Sequence, residues 1–164
     1  MRKFGALLVF CGVLAACGQQ EPAPAAPAPA PAATPASPPP PPAALTRKPA
    51  PAGAMAYIIE PADGASVTSP VRVAFGLKGF GVAPAGVDRN DAGHHHLLVD
   101  AGMPADLGVP IPNDETHRHF GGGQTEVELT LAPGRHTLQM LVGDHLHIPH
   151  DPPIASSVVT IEVR

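Results

Sequence analysis

Between Gly18 and Ala54 the chain is mostly proline and alanine, 13 of each in 37 residues, and a run of that kind cannot build a core. Proline fixes φ and removes a backbone donor, and the string EPAPAAPAPAPAATPASPPPPPAALTRKPAPAG has no apolar periodicity. It reads as an extended polyproline II tether. At about 3.1 Å per residue such a spacer reaches up to roughly 100 Å. What remains for folding is Met55 to Arg164, enough for one small core and too little for two. A doubly wound nucleotide-binding fold and a barrel enzyme are excluded by size.

Ahead of the tether stands an export signal. Arg2 and Lys3 precede the apolar run Phe4 to Leu14, which is too short to span a bilayer as a helix. The run closes on Leu14-Ala15-Ala16-Cys17, which resembles the bacterial lipobox. The resemblance implies cleavage before Cys17 and lipidation of that cysteine, with several acyl chains giving near-permanent membrane anchoring. Gly18, rather than Asp, follows the cysteine, and by the same resemblance to Gram-negative sorting this directs the protein to the outer membrane, facing the periplasm. The expected organisation is a signal peptide at 1–16, a lipid-anchored tether at 17–54 and a folded domain at 55–164. Cys11 leaves with the signal and Cys17 carries lipid, so the domain has no thiol and any metal site in it must use His, carboxylate or Met.

Residues 55–164 hold six Lys and Arg against 13 Asp and Glu, a net of −7 with neutral histidines. A surface this acidic repels phosphate backbones, which argues against nucleic-acid binding. The partners expected are the membrane, through the lipid, and an envelope protein or polymer of unspecified kind.

Period-2 patterning recurs through the domain. Val71, Val73, Phe75 and Leu77 alternate with smaller or polar residues, as do Val127, Leu129 and Leu131, then Leu138, Met140 and Val142, and finally Val159, Ile161 and Val163. Tyr57 to Ile59 opens the series before the turn Pro61-Ala62-Asp63-Gly64, and Pro133-Gly134 predicts a hairpin between the strands on either side of it. His94 to Asp100 is a further strand, with His95, Leu97 and Val99 on one face and His94, His96 and Leu98 on the other. No helical apolar stripe competes. Six or seven strands of this kind predict an all-β immunoglobulin-like sandwich, with a small open barrel as the alternative. Tyr57 and Phe120 are expected in the core, and His136 at its edge.

All nine histidines fall between His94 and His150, and three His-x-His pairs stand out among them. His94 and His96 share a strand face. His117 and His119 lie in the polar stretch before Gly121-Gly122-Gly123, and His145 and His147 follow the last long apolar strand. These six are the candidate metal ligands, with Asp144, His150 and Asp151 as candidates to orient the rings from behind. Imidazole with carboxylate and no thiolate suits Cu(II) or Zn(II). Six rings exceed what one tetrahedral ion needs, so three or four are expected to bind. In the competing account the histidines brace loops by hydrogen bonding and the domain is a non-catalytic interaction module. Nothing marks an enzyme: there is no Gly-x-Ser-x-Gly elbow, no phosphate loop and no cysteine nucleophile.

The strings GHHHLLVD, PIPNDETHRHFGGGQTE and PGRHTLQMLVGDHLHIPHDPP, between Gly93 and Pro153, resemble the bacterial exported family designated domain of unknown function 4399. The resemblance implies export, often with a lipid anchor, and carries no activity.

Overall fold

The structure is a computed structural model that describes residues 45–164. The signal peptide, Cys17 and the tether as far as Ala44 lie outside the described residues. Nine strands form among those described: β1 (Met55–Glu60), β2 (Ala65–Val67), β3 (Val71–Lys78), β4 (Gly81–Val82), β5 (Ala92–Val99), β6 (His117–Phe120), β7 (Glu126–Leu129), β8 (Gly134–Gly143) and β9 (Val159–Val163). They make two sheets, β1-β3-β7 and β2-β9-β8-β5-β4, with β6 also pairing β5. Neither closes into a barrel. The fold is an immunoglobulin-like β-sandwich, as the patterning predicts, and the three strands beyond the six read from the sequence are short ones. β2, β4 and β6 span three, two and four residues, and none of them carries an alternation of large apolar residues.

The core lies between the sheets. Val71, Val73 and Phe75 from β3 meet Leu97, Leu138, Met140, Val142 and Ile161 from the larger sheet, with Phe120 from β6 among them. Each large aliphatic or aromatic side chain buried this way contributes about 1.5 to 3 kcal/mol relative to exposure. β5 differs from its neighbours in being buried at all eight positions. The reason is that the larger sheet is covered on its outer face too. There Leu98, Leu141 and Ile111 form a second small core with Ala101, Met103 and Ala155. His94 and His96 share that outer face.

Two expectations are corrected. Pro133-Gly134 does not close a hairpin, because β7 pairs with β3 whereas β8 pairs with β5 and β9. The segment between β7 and β8 instead carries the chain from one sheet to the other. Two strands facing one core from opposite sheets have the same alternation as two neighbours in a single sheet, so period alone does not separate the cases. Tyr57, expected in the core, is 40% exposed. It pairs with Gly76 across the β1-β3 ladder, and its ring lies where a Gly76 Cβ would stand, 2.8 Å from that position.

The folded body also begins before Met55. Ala50 N–H donates to the Asp151 carbonyl and Asp151 N–H to the Lys48 carbonyl, each at 2.8 Å. Arg47 donates to the Pro149 carbonyl at 3.1 Å and also to that of His150, and Ala50 and Ala54 pack against the core.

Candidate metal centre

Strand parity and register bring the first three rings together. His94 and His96, two residues apart on β5, project from the same face, while His95 between them enters the main core edge-on to Phe75, with centroids 4.8 Å apart. His96 lies opposite His119 in the antiparallel β5-β6 ladder, which places the His119 ring beside the other two. The fourth ring comes from the turn after β8. Gly143 pairs with His94, and the chain then doubles back within five residues.

Asp144 organises that turn. Its Oδ1 accepts the Leu146 N–H at 2.8 Å and the Ile148 N–H at 2.9 Å, and its backbone carbonyl accepts the His147 N–H at 2.9 Å. His147 adopts φ 69°, a left-handed conformation that a residue with a Cβ rarely takes and that is concentrated at functional sites. Its carbonyl is held by the Ile111 N–H at 2.9 Å.

The result is a cluster of four imidazoles. Ring centroids are 4.9 Å apart for His94–His96, His94–His119 and His94–His147, 5.0 Å for His96–His119, 4.7 Å for His119–His147 and 5.8 Å for His96–His147. The Nε2 atoms of His94 and His96 are 3.1 Å apart, and His94, His119 and His147 offer donor atoms all within 4.8 Å of one another. Four imidazoles bound to one tetrahedral ion at about 2.0 to 2.1 Å would have donor atoms roughly 3.3 Å apart and centroids roughly 5.2 Å apart. The observed centroid separations bracket the second figure. The donor atoms of His94, His119 and His147 are spread more widely than the first, and His96 lies outside that converging set, joined to it through His94 Nε2.

Two glycines make the approach possible. A Cβ on Gly143 would stand 3.1 Å from both His96 Nε2 and His147 Cα, and one on Gly121 would stand 2.4 Å from His119 Cε1. In the sequence Gly121 stands out only as part of the Gly121-Gly122-Gly123 run after a histidine pair, and Gly143 carries no signal beyond lying two residues before His145.

Electrostatics keeps His94, His96 and His119 neutral. Burial, followed by the neighbouring His147 and His119, pulls His94 down to about 4 against a small opposing pull from Asp144. Burial and then His94, His119 and His147 pull His96 down to about 2, and burial followed by His147 lowers His119. A neutral imidazole presents the lone pair a metal needs. As a self-contained hydrogen-bond network the cluster is poor: His94 Nδ1, His96 Nδ1 and His119 Nε2 are buried without a partner, and each such group costs about 1 to 3 kcal/mol.

The other candidates lie elsewhere. His117 shares the His119 face but binds Asp114 Oδ1 at 3.0 Å through Nδ1, at the entry to β6. His145 points to Asp88 and Asp144, at 3.6 and 3.7 Å. His150 is buried edge-on against Phe80 at 4.9 Å, and Asp151 pairs with Arg47 at 3.3 Å. Among the described residues no carboxylate hydrogen-bonds a ring of the cluster, so the rings are oriented by packing and by the Asp144 turn. His136 sits at the core edge, bonded to Asp100 at 2.7 Å and the Ala132 carbonyl at 2.9 Å.

The sequence profile of the family described as Domain of unknown function (DUF4399) matches residues 73–164, a span that contains all nine histidines. No curated protein matches the chain. Among solved structures, the fibronectin(III)-like modules of CbhA from Clostridium thermocellum are similar at 13% identity and a TM-score of 0.32, covering 66% of this chain and 93% of that one.

Proposed function

We propose a function for this chain, which belongs to the DUF4399 family: its domain binds a divalent transition-metal ion, Cu(II) or Zn(II), through His94, His96, His119 and His147. The observation that carries this reading is the set of six centroid separations between 4.7 and 5.8 Å, close to those of imidazoles around a single ion. The 3.1 Å approach of the His94 and His96 Nε2 atoms and the buried, partnerless Nε2 of His119 support it. With four imidazoles around a tetrahedral ion no position is left for a substrate water, so the role is holding or passing on the ion, without catalysis. In the full reading Cys17 carries the lipid, and the Pro/Ala segment suspends the domain from the outer membrane on its periplasmic side.

Calorimetric titration of the tag-free chain at pH 7.5 tests the reading. Cu(II) or Zn(II) is expected to bind with a Kd below about 100 μM. Replacing His119 and His147 together by Ala should abolish binding, while His117→Ala and His145→Ala leave it intact. Absence of binding by either ion, or binding that survives the loss of His119 and His147, overturns the proposal.

A further inference from the structure

Resting on that reading and going further in oxidation state, we infer that the four-histidine pocket holds copper more tightly as Cu(I) than as Cu(II), so that the fold stabilises the reduced ion.

Charge is the first argument. All four donors are neutral imidazoles, and the domain has no thiolate to offer. The Oδ1 of Asp144, the carboxylate nearest in sequence, is committed to the backbone N–H groups of Leu146 and Ile148. His94 and His96, on the floor of the pocket, are fully buried. An ion entering here has no anionic ligand bound to it, and the buried Asp144 carboxylate acts on it only through space, as it does on His94. The Born cost of burying an ion grows with the square of its charge, so a monocation meets about a quarter of the penalty of a dication.

Shape is the second. Cu(II) prefers a tetragonal arrangement with four donors in one plane. Four coplanar imidazoles would give four centroid separations near 4.5 Å and two near 6.4 Å, on metal–nitrogen distances of about 2.0 to 2.1 Å. Here five separations lie between 4.7 and 5.0 Å and the sixth is 5.8 Å, so the four ring centres do not lie in a plane. The d10 ion Cu(I) has no planar preference and accepts three or four donors in such an arrangement. The pocket has little freedom to flatten. His94, His96 and His119 are fixed by strand register, and His147 by a turn with its backbone hydrogen-bonded at both N–H and carbonyl.

The test is the midpoint potential of copper bound to the full tag-free chain, measured anaerobically, with chelator competition for Cu(I), Cu(II) and Zn(II) alongside. At least tenfold tighter binding of Cu(I) is expected, which places the bound couple about 59 mV or more above the aqueous one. A potential at or below the aqueous couple overturns the inference, and Cu(II) or Zn(II) binding would then still stand as the function. If no ion of either charge binds, both fall. His119→Asp, at the half-buried rim, puts an anionic donor into the set and should lower the potential relative to wild type. An unchanged or higher potential in that variant contradicts the charge argument. Should the variant lose copper altogether, the wild-type potential decides alone.

Discussion

Gly143 lets two of the four rings meet. A methyl group at that position would press on the backbone of His147 as well as on the His96 ring, and backbone has less room to yield than a flexible side-chain end. Gly143→Ala is expected to cost about 1 to 3 kcal/mol through overpacking and to remove the thermal shift that added metal gives wild type. Differential scanning calorimetry with and without Zn(II) measures both. A variant that keeps the full metal-induced shift would show that the close approach is not needed.

Acid behaviour also belongs to single residues. Burial draws His94 and His95 down to about 4 and His96, with neighbouring imidazoles adding to burial, to about 2, whereas the unfolded chain takes up protons at about 6.5. Below pH 6.5 the unfolded state therefore binds more protons than the native one, so stability is full above that pH and is lost as pH falls through the folded values. The slope is at most about 1.4 kcal/mol per pH unit for each such histidine. His136 has the opposite sign: its hydrogen bond to Asp100 raises its pKa, so its contribution is present in acid and fades as pH rises. Melting temperatures of the metal-free protein from pH 7.5 to 4.5 should fall progressively below 6.5. A flat profile would mean that these rings are not buried as neutral groups.

Among the elements, the Asp144 turn and the 47–54 strap make separate predictions. Asp144→Ala leaves two backbone N–H groups without an acceptor, costs about 2 kcal/mol or more and weakens metal binding about 10- to 100-fold, the usual effect of losing the support behind a ligand. Asp144→Asn keeps an acceptor oxygen and should be milder in both respects. For the strap, a chain beginning at residue 45 should melt like the longer protein, while one beginning at Met55 should melt several degrees lower, having lost the contacts of Arg47 to Ala50 with residues 149–151. Equal melting temperatures would return residues 47–54 to the tether.

These elements also show how far the sequence can be read. Strand parity on β5 was visible because His95, Leu97 and Val99 alternate with His94, His96 and Leu98, and that alternation assigns the outer face correctly. Within each of the other two His-x-His pairs, spacing could not choose. His119 is brought in by its pairing with His96 while His117 is held by Asp114, and His147 is turned inward by a left-handed backbone while His145 faces Asp88. Those choices are made by cross-strand register and one turn, which no local period encodes. The misread hairpin and the early start of the body have the same origin, long-range pairing between segments that look ordinary in isolation.

For the molecule as a whole, the proposal joins a metal-binding domain to an N-terminal segment that serves as its address. Among the described residues no helix is long and apolar enough to cross a membrane. In the proposed reading membrane attachment rests on Cys17, and fatty-acid labelling should be lost in Cys17→Ser. Metal binding should stabilise the entire domain, because ligands from β5, β6 and the turn after β8 must all be in place for one ion to bind. At free metal a hundred times the Kd the gain is about 2.7 kcal/mol. X-ray absorption of the Zn(II)-loaded, tag-free protein at pH 7.5 addresses the central claim most directly. The account predicts a first shell of three or four nitrogen donors at about 2.0 to 2.1 Å with the multiple-scattering pattern of imidazole and no sulfur, whereas a shell dominated by oxygen, or one with fewer than three imidazoles, would contradict it.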